Sequence, residues 1–186
     1  MTTPASGVDG LLDATPGPLL PQALQTLVAA QDMAWADPTS RHAAGRRSRS
    51  LLDRARSVLA DGLGVRPDEL SFHASGDQAA RAGLALLARG RRRLTAPPVA
   101  SAVEHSALLR WLRAGDTPAT EVSVGPTGAV DVAAWDDAIG GGTPFAVLQA
   151  ANQEVGTRQP LAVARAATRE HDVPLLVDAR AALGRD

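Results

Sequence analysis

Gly76, His105, Asn152 and Asp178 are a glycine turn, an imidazole, a carboxamide and a carboxylate that each fall just past the end of a predicted strand. In parallel sheets that is where ligands are bound. Leu70-Ser71-Phe72-His73 reads as a short strand, and Ala74-Ser75-Gly76-Asp77 as a tight turn into a helix running to about Ala88. Such a turn suits a phosphate, because it leaves backbone amides at a helix start free to receive one. Other chemistry is closed off by composition. There is no cysteine, so thiol nucleophiles, thiolate metal sites and disulfides are excluded. All nineteen basic residues are arginine, so no side-chain amine can form a Schiff base. His42, His73 and His171 lack partners at metal-ligand spacing, which makes them structural and leaves no metal site to expect. Read alone, Asp178 could equally cap the segment that follows it, and His105 could be a solvated residue at a helix start.

These residues need elements to hold them. Leu19 to Met33 is apolar at helical spacing, and Asp37-Pro38-Thr39-Ser40 breaks the chain before a helix from about Arg41 to Leu63. Strands are expected at Val99 to Ala102, Thr120 to Val124, Phe145 to Gln149 and Pro174 to Val177. Between them the pattern predicts helices at Ser106 to Arg113, from the Asp131 cap to Ile139, and at Leu161 to Glu170. Strands separated by helices of this length predict an α/β fold, a mostly parallel sheet with helices on both faces.

A chain of 186 residues with 45% hydrophobic and 21% charged residues can bury one sizeable core. Nineteen basic against twenty acidic side chains leave a net charge of -1, so nothing global attracts a phosphate backbone, and nucleic acid is not an expected partner. Arg91-Arg92-Arg93 has no aromatic platform beside it and reads as a solvated face. The longest apolar runs, such as Gly83 to Ala88, are far short of a membrane span, and Met1 to Gly10 has no basic, then apolar, leader pattern. The expectation is a cytoplasmic protein without a membrane partner. Ser75-Gly76 is not a hydrolase elbow, and the Gly-x-Gly-x-x-Gly fingerprint of a nucleotide-binding domain is missing.

Five segments together resemble the cysteine desulfurases of the class V aminotransferase group, which use pyridoxal phosphate. Asp37-Pro38-Thr39-Ser40-Arg41-His42 with Gly45 is similar to their Asn-Pro-Ser-Ser-x-His-x-x-Gly, and Leu63 to Phe72 to their Leu-Gly-Ala-x-Pro-x-Glu-Ile-x-Phe. Glu104-His105-Ser106-Ala107-Leu108 resembles Glu-His-x-Ala-Val, and Asn152 to Pro160 resembles Asn-Asn-Glu-Val-Gly-x-x-Gln-Pro. Leu176-Val177-Asp178-Ala179 matches the strand-end Val-Asp-Ala. The resemblance implies part of the large domain of a type I pyridoxal phosphate transferase. It implies that Asp178 would keep the pyridine nitrogen protonated and that His105 would stack on the ring and shuttle a proton. Asn152 would bond the phenolic oxygen, and Gly76 and the amides after it would cradle the phosphate. It further implies a homodimer and, in intact relatives, conversion of cysteine to alanine with the sulfur passed on as a persulfide.

The sequence also departs from that pattern. The phosphate-binding threonine falls on Asp77, a carboxylate beside a dianion. After Asp178 the relatives read Ala-Thr-Gln where this chain has Ala179-Arg180-Ala181, and their opening Asp-x-Ala-Ala-Thr-Thr-Pro has become Asp13-Ala14-Thr15-Pro16. The lysine segment Ser-x-x-His-Lys and the loop bearing the persulfide cysteine belong to the half of the family fold that follows the Asp178 strand. The organisation expected is therefore an N-terminal arm and helix over 1–36 and a truncated cofactor-binding domain over 37–186. Two uses follow: half of a split enzyme completed by a separate C-terminal chain, or a decayed, non-catalytic binding or dimerisation module. In either case the unpaired sheet edge predicts self-association.

Overall fold

A strand buried on both faces must be apolar along its length, and Ala146–Gln149, with Ala-Val-Leu ahead of its glutamine, is buried at every position. In the computed structural model, which describes residues 19–184, this strand (β3) lies inside a sheet of four. The others are β1 (Val99–Ser101), β2 (Thr120–Val122) and β4 (Leu175–Asp178), in the order β2-β1-β3-β4 and all parallel. Val99 stands opposite both Thr120 and Ala146, and Gln149 opposite Asp178.

Alternate strand residues face opposite sides, so the sheet builds two cores. On one side Val99, Ala146 and Leu148 pack with Trp135 of α5 (Val132–Ala138) and with Ala164 and Ala167 of α6 (Leu161–Glu170). On the other, Ala100 and Val147 pack with Leu108 and Leu112 of α4 (Ser106–Ala114), and Leu84 and Leu87 of α3 (Gly76–Gly90) lie against them. Gly83 lets α3 come close to β4, since a Cβ there would stand 2.8 Å from Leu176 Cδ1. The expected α/β class, with helices on both faces, is the observed one.

The differences are local. Leu70–His73 is not a strand: a 3-10 turn at Pro67–Glu69 precedes it, and the sheet's members are the four strands above. Strand-like composition is insufficient without a neighbouring ladder to join. Thr120 to Val124 is shortened to three residues, and Val124 instead makes an isolated antiparallel bridge to Val130 across the Gly128 turn. The second helix starts at Ala43, where the His42 side chain accepts the Gly45 amide, while Asp37 closes its own turn on Thr39. The Asp13 to Pro16 segment lies outside the described residues.

The chain divides into two compact units, Met1–Phe72 and His73–Asp186. The first holds α1 (Pro21–Met33), α2 (Ala43–Leu63) and the 3-10 turn; α1 buries no residue and leaves Leu24, Leu27 and Val28 half exposed. The second holds the sheet and every candidate site residue. Among the described residues no helix is long and apolar enough to cross a membrane.

Trp135 is the largest fully buried side chain and donates its indole N–H to the Ala164 carbonyl at 3.4 Å, joining α5 to α6. Trp135→Ala is expected to cost about 3–5 kcal/mol in a denaturant titration. A change under about 1 kcal/mol would mean that this core is not a unit of stability.

Candidate functional site

The chain reverses its direction across the sheet at β1, going first to β2 on one side and later to β3 on the other. Such a switch opens a crevice beyond the carboxyl ends of the two diverging strands. The loops after β1 and β3 meet there and, with the end of β4, enclose a cavity of about 230 Å³ lined by Glu104, His105, Gln149, Asn152, Asp178 and Arg180, among others. That is smaller than the ~300 Å³ at which ligand pockets usually begin.

Glu104 anchors the crevice. Only 4% exposed, it accepts a hydrogen bond from Ser101 Oγ at 2.6 Å and from the Gln149 amide at 2.8 Å, both on Oε1, which ties β1 to β3. Its Oε2 is buried with no hydrogen-bond partner. Burial pushes this carboxyl up to about 7, against the hydrogen bonds from Ser101 and Gln149. Gln149 and Asn152 both donate from their side chains to the Val103 carbonyl, at 2.5 and 3.2 Å, and so hold the loop that carries Glu104 and His105.

Three of the five residues singled out from the sequence, His105, Asn152 and Asp178, line this crevice, while Gly76 and Asp77 meet it through Arg180; the polar side chains are already engaged. Asn152 Oδ1 accepts the Glu154 and Val155 amides at 2.9 and 3.1 Å, closing its own turn. His105 caps α4, its Nδ1 accepting from the Ala107 amide at 3.2 Å, and lies 3.8 Å from Asp77 Oδ1. Gly76 opens α3, but the capping is done by Ser75, whose hydroxyl accepts the Gln78 amide. Asp178, its side chain 9% exposed, receives Arg180 in a forked pair: Nε lies 3.0 Å from both carboxylate oxygens and Nη2 lies 2.5 Å from Oδ2. Burial alone would push Asp178 up, but the hydrogen bonds and charge of Arg180 hold it below the usual aspartate value. Arg180 Nη1 then reaches Asp77 Oδ1 at 3.1 Å. Its stem lies on the α3 turn so closely that a Cβ on Gly76 would stand 2.5 Å from Arg180 Cδ.

Pyridoxal phosphate would ask this cleft for a carboxylate open to a ring nitrogen, amides open to a phosphate, and a carboxamide open to a ring oxygen. Asp178 is filled by Arg180, the Gly76 turn is covered by the same side chain with the Asp77 carboxylate beside it, and Asn152 is turned onto backbone. As arranged, these residues do not fit the cofactor. Nor is there a group of three His, Asp or Glu side chains able to hold a metal among the described residues.

The sequence reading passed over two residues that organise the site. Arg180 was visible only as a departure after Asp178, although a cation two residues beyond a strand-end carboxylate is a candidate partner for it. Glu104 stood beside His105, and its burial could not be read without the β1–β3 pairing.

The raised Glu104 has a consequence for stability. An unfolded glutamate releases its proton near 4.5, whereas the folded one keeps it up to about 7. Its contribution is therefore complete below pH 4.5 and is lost as pH rises through about 7. Between about pH 4 and about pH 8 the native protein should lose about 3 kcal/mol relative to Glu104→Gln, measured by denaturant unfolding at each pH. Parallel pH profiles for the two proteins would show that the buried carboxyl does not titrate in this way.

The description "Aminotransferase class-V" matches residues 11–186. An IscS-like cysteine desulfurase of Mycobacterium tuberculosis is 32% identical over 90% of this chain and 45% of its own length. Among solved structures, a NifS-like protein superposes with a TM-score of 0.79 at 24% identity, covering 88% of this chain and 46% of that one, which shows the fold. DndA from Streptomyces lividans gives 0.69 at 27% identity, covering 83% and 44%. The chain thus spans less than half the length of the relatives it matches. On the family match over nearly all of its residues, the chain belongs to the class V aminotransferases.

Proposed function

We propose that these 186 residues form a non-catalytic binding and assembly module built on the cofactor-facing half of a cysteine desulfurase scaffold. The observation that carries this reading is the Asp178–Arg180 pair, which satisfies internally the carboxylate that the relatives would turn to pyridoxal phosphate. The Asp77 carboxylate at the Gly76 turn supports it, since it stands where a phosphate would have to be received.

What remains is a surface for association. The edge strand β4 is joined to β3 on one side, its Leu175 and Leu176 are half-buried and its Val177 is 42% exposed. An apolar edge of this kind recruits a further strand or a second copy. A second reading uses the same edge differently. A separate chain carrying the Ser-x-x-His-Lys segment and a cysteine would complete a two-chain enzyme there, and cysteine would be its substrate.

The purified chain, given pyridoxal phosphate and cysteine, is expected to release neither sulfide nor alanine and to run as a dimer or larger species in light scattering. Turnover by the chain alone would overturn the non-catalytic reading, and a stable monomer would remove the assembly part of it. Sulfide release only on mixing with the C-terminal half of a cysteine desulfurase would establish the second reading in its place.

A further inference from the structure

The side chain of Arg180 touches both of the places where a pyridoxal phosphate would be held. At one end its guanidinium forks onto Asp178, with Nε 3.0 Å from each oxygen. By the resemblance, a protonated ring nitrogen would stand there, likewise a planar cation donating to a buried carboxylate, except that the guanidinium donates through two nitrogens and cannot lose its charge. At the other end Nη1 lies 3.1 Å from Asp77 Oδ1, and the stem presses on Gly76, where a Cβ would stand 2.5 Å from Arg180 Cδ and 2.9 Å from Nη1. The carboxylate of Asp77 occupies the sequence position of a phosphate-binding threonine. One cation therefore occupies the carboxylate that would meet the ring nitrogen, and one anion stands among the groups that would meet the phosphate.

We propose that Arg180 and Asp77 act together as a built-in plug of the cofactor cleft, a partly exposed ion pair across its mouth that keeps pyridoxal phosphates out and lets the domain fold without one. This rests on the reading of the chain as a non-catalytic module, and it names the cause of that silence within the described residues. The two residues are coupled by geometry. Arg180 holds its conformation by bonding both Asp178 and Asp77, and removing either member alone leaves the cleft hostile. Without Arg180, the carboxylates of Asp77 and Asp178 are both uncompensated, and the first repels a phosphate dianion. Without Asp77, Arg180 stays forked on Asp178 and its stem still covers the α3 turn. Only the loss of both frees Asp178 for a ring nitrogen and the Gly76 turn for a phosphate.

The test is a binding cycle with pyridoxamine 5′-phosphate, which carries the ring and the phosphate but forms no Schiff base, so that the terminal amine of the chain contributes nothing. Affinity is read by equilibrium dialysis on the wild type, Asp77→Thr, Arg180→Thr and the double variant, each first shown to melt cooperatively. The wild type and both single variants should bind weakly or not at all. The double variant should bind at least roughly ten-fold tighter than either, the gain expected when one like charge is removed from beside the phosphate at short range. That gain should disappear with pyridoxamine lacking the phosphate, and again when Asp178→Asn is added. Should Arg180→Thr unfold the domain, Arg180→Gln keeps most of the stem and a hydrogen bond to Asp178, and is combined with Asp77→Thr in its place. Tight binding by the wild type would overturn both the plug and the non-catalytic reading. No gain in a folded double variant would overturn the plug alone and leave that reading standing.

Discussion

Two carboxylates stand out of water at the carboxyl end of the sheet, and each has to be neutralised for the sheet ends to close. An ionised carboxylate buried without a partner costs several kcal/mol, so the surrounding structure answers either with a proton or with a cation. Glu104 takes the first course: it has the Ser101 hydroxyl and the Gln149 amide on one oxygen, nothing on the other, and a proton retained to about 7. Asp178 takes the second course, with Arg180 forked across both oxygens. Much of the local architecture follows from these two answers. The Ser101–Glu104–Gln149 bonds clamp β1 to β3, and the Arg180 stem ties the end of β4 to the start of α3.

The parts of the fold that could be read in the sequence are those where local pattern and burial agree. Leu161–Glu170 was legible to the residue because its apolar stripe, a proline before it and a strand after it all point to the same helix. Ala146–Gln149 was legible because a short, continuous apolar run entered after glycines and a proline fits a strand covered on both faces. Leu70–His73 alternates apolar and polar residues as a half-buried strand would and failed, since a strand exists only beside another and no local pattern supplies the neighbour. The candidate site divides in the same way. The strand expected before Gly76 does not form, but that His105, Asn152 and Asp178 gather at one end of the sheet follows from where β1, β3 and β4 stop. What each side chain bonds does not, because it depends on pairs such as Arg180 with Asp77, 103 positions apart in the chain.

The resemblance to cysteine desulfurases and the geometry of the cleft pull in different directions, and the difference lies in three positions. Gly76, His105, Asn152 and Asp178 preserve the shape of a site because each also has a structural duty: opening α3, capping α4, closing a turn, ending β4. Asp77, Arg180 and Ala181 change what that shape can bind. Residues with a duty in the fold persist whether or not a ligand is held, so their presence argues for the family and says little about the chemistry. Residues facing only the ligand are the ones that report on function, and those are the ones that differ.

The choice of arginine at position 180 follows from the same constraint. A lysine there would neutralise Asp178 as a point charge, but its ammonium has no planar fork to meet both oxygens and still reach Asp77. A lysine is also, once deprotonated, the amine nucleophile that an aldehyde cofactor needs. A guanidinium keeps its charge at any pH at which the protein folds and is no nucleophile. In a sequence whose nineteen cations are all arginine, the group that fills the cleft is thus one that can hold the structure together and cannot begin the family's chemistry.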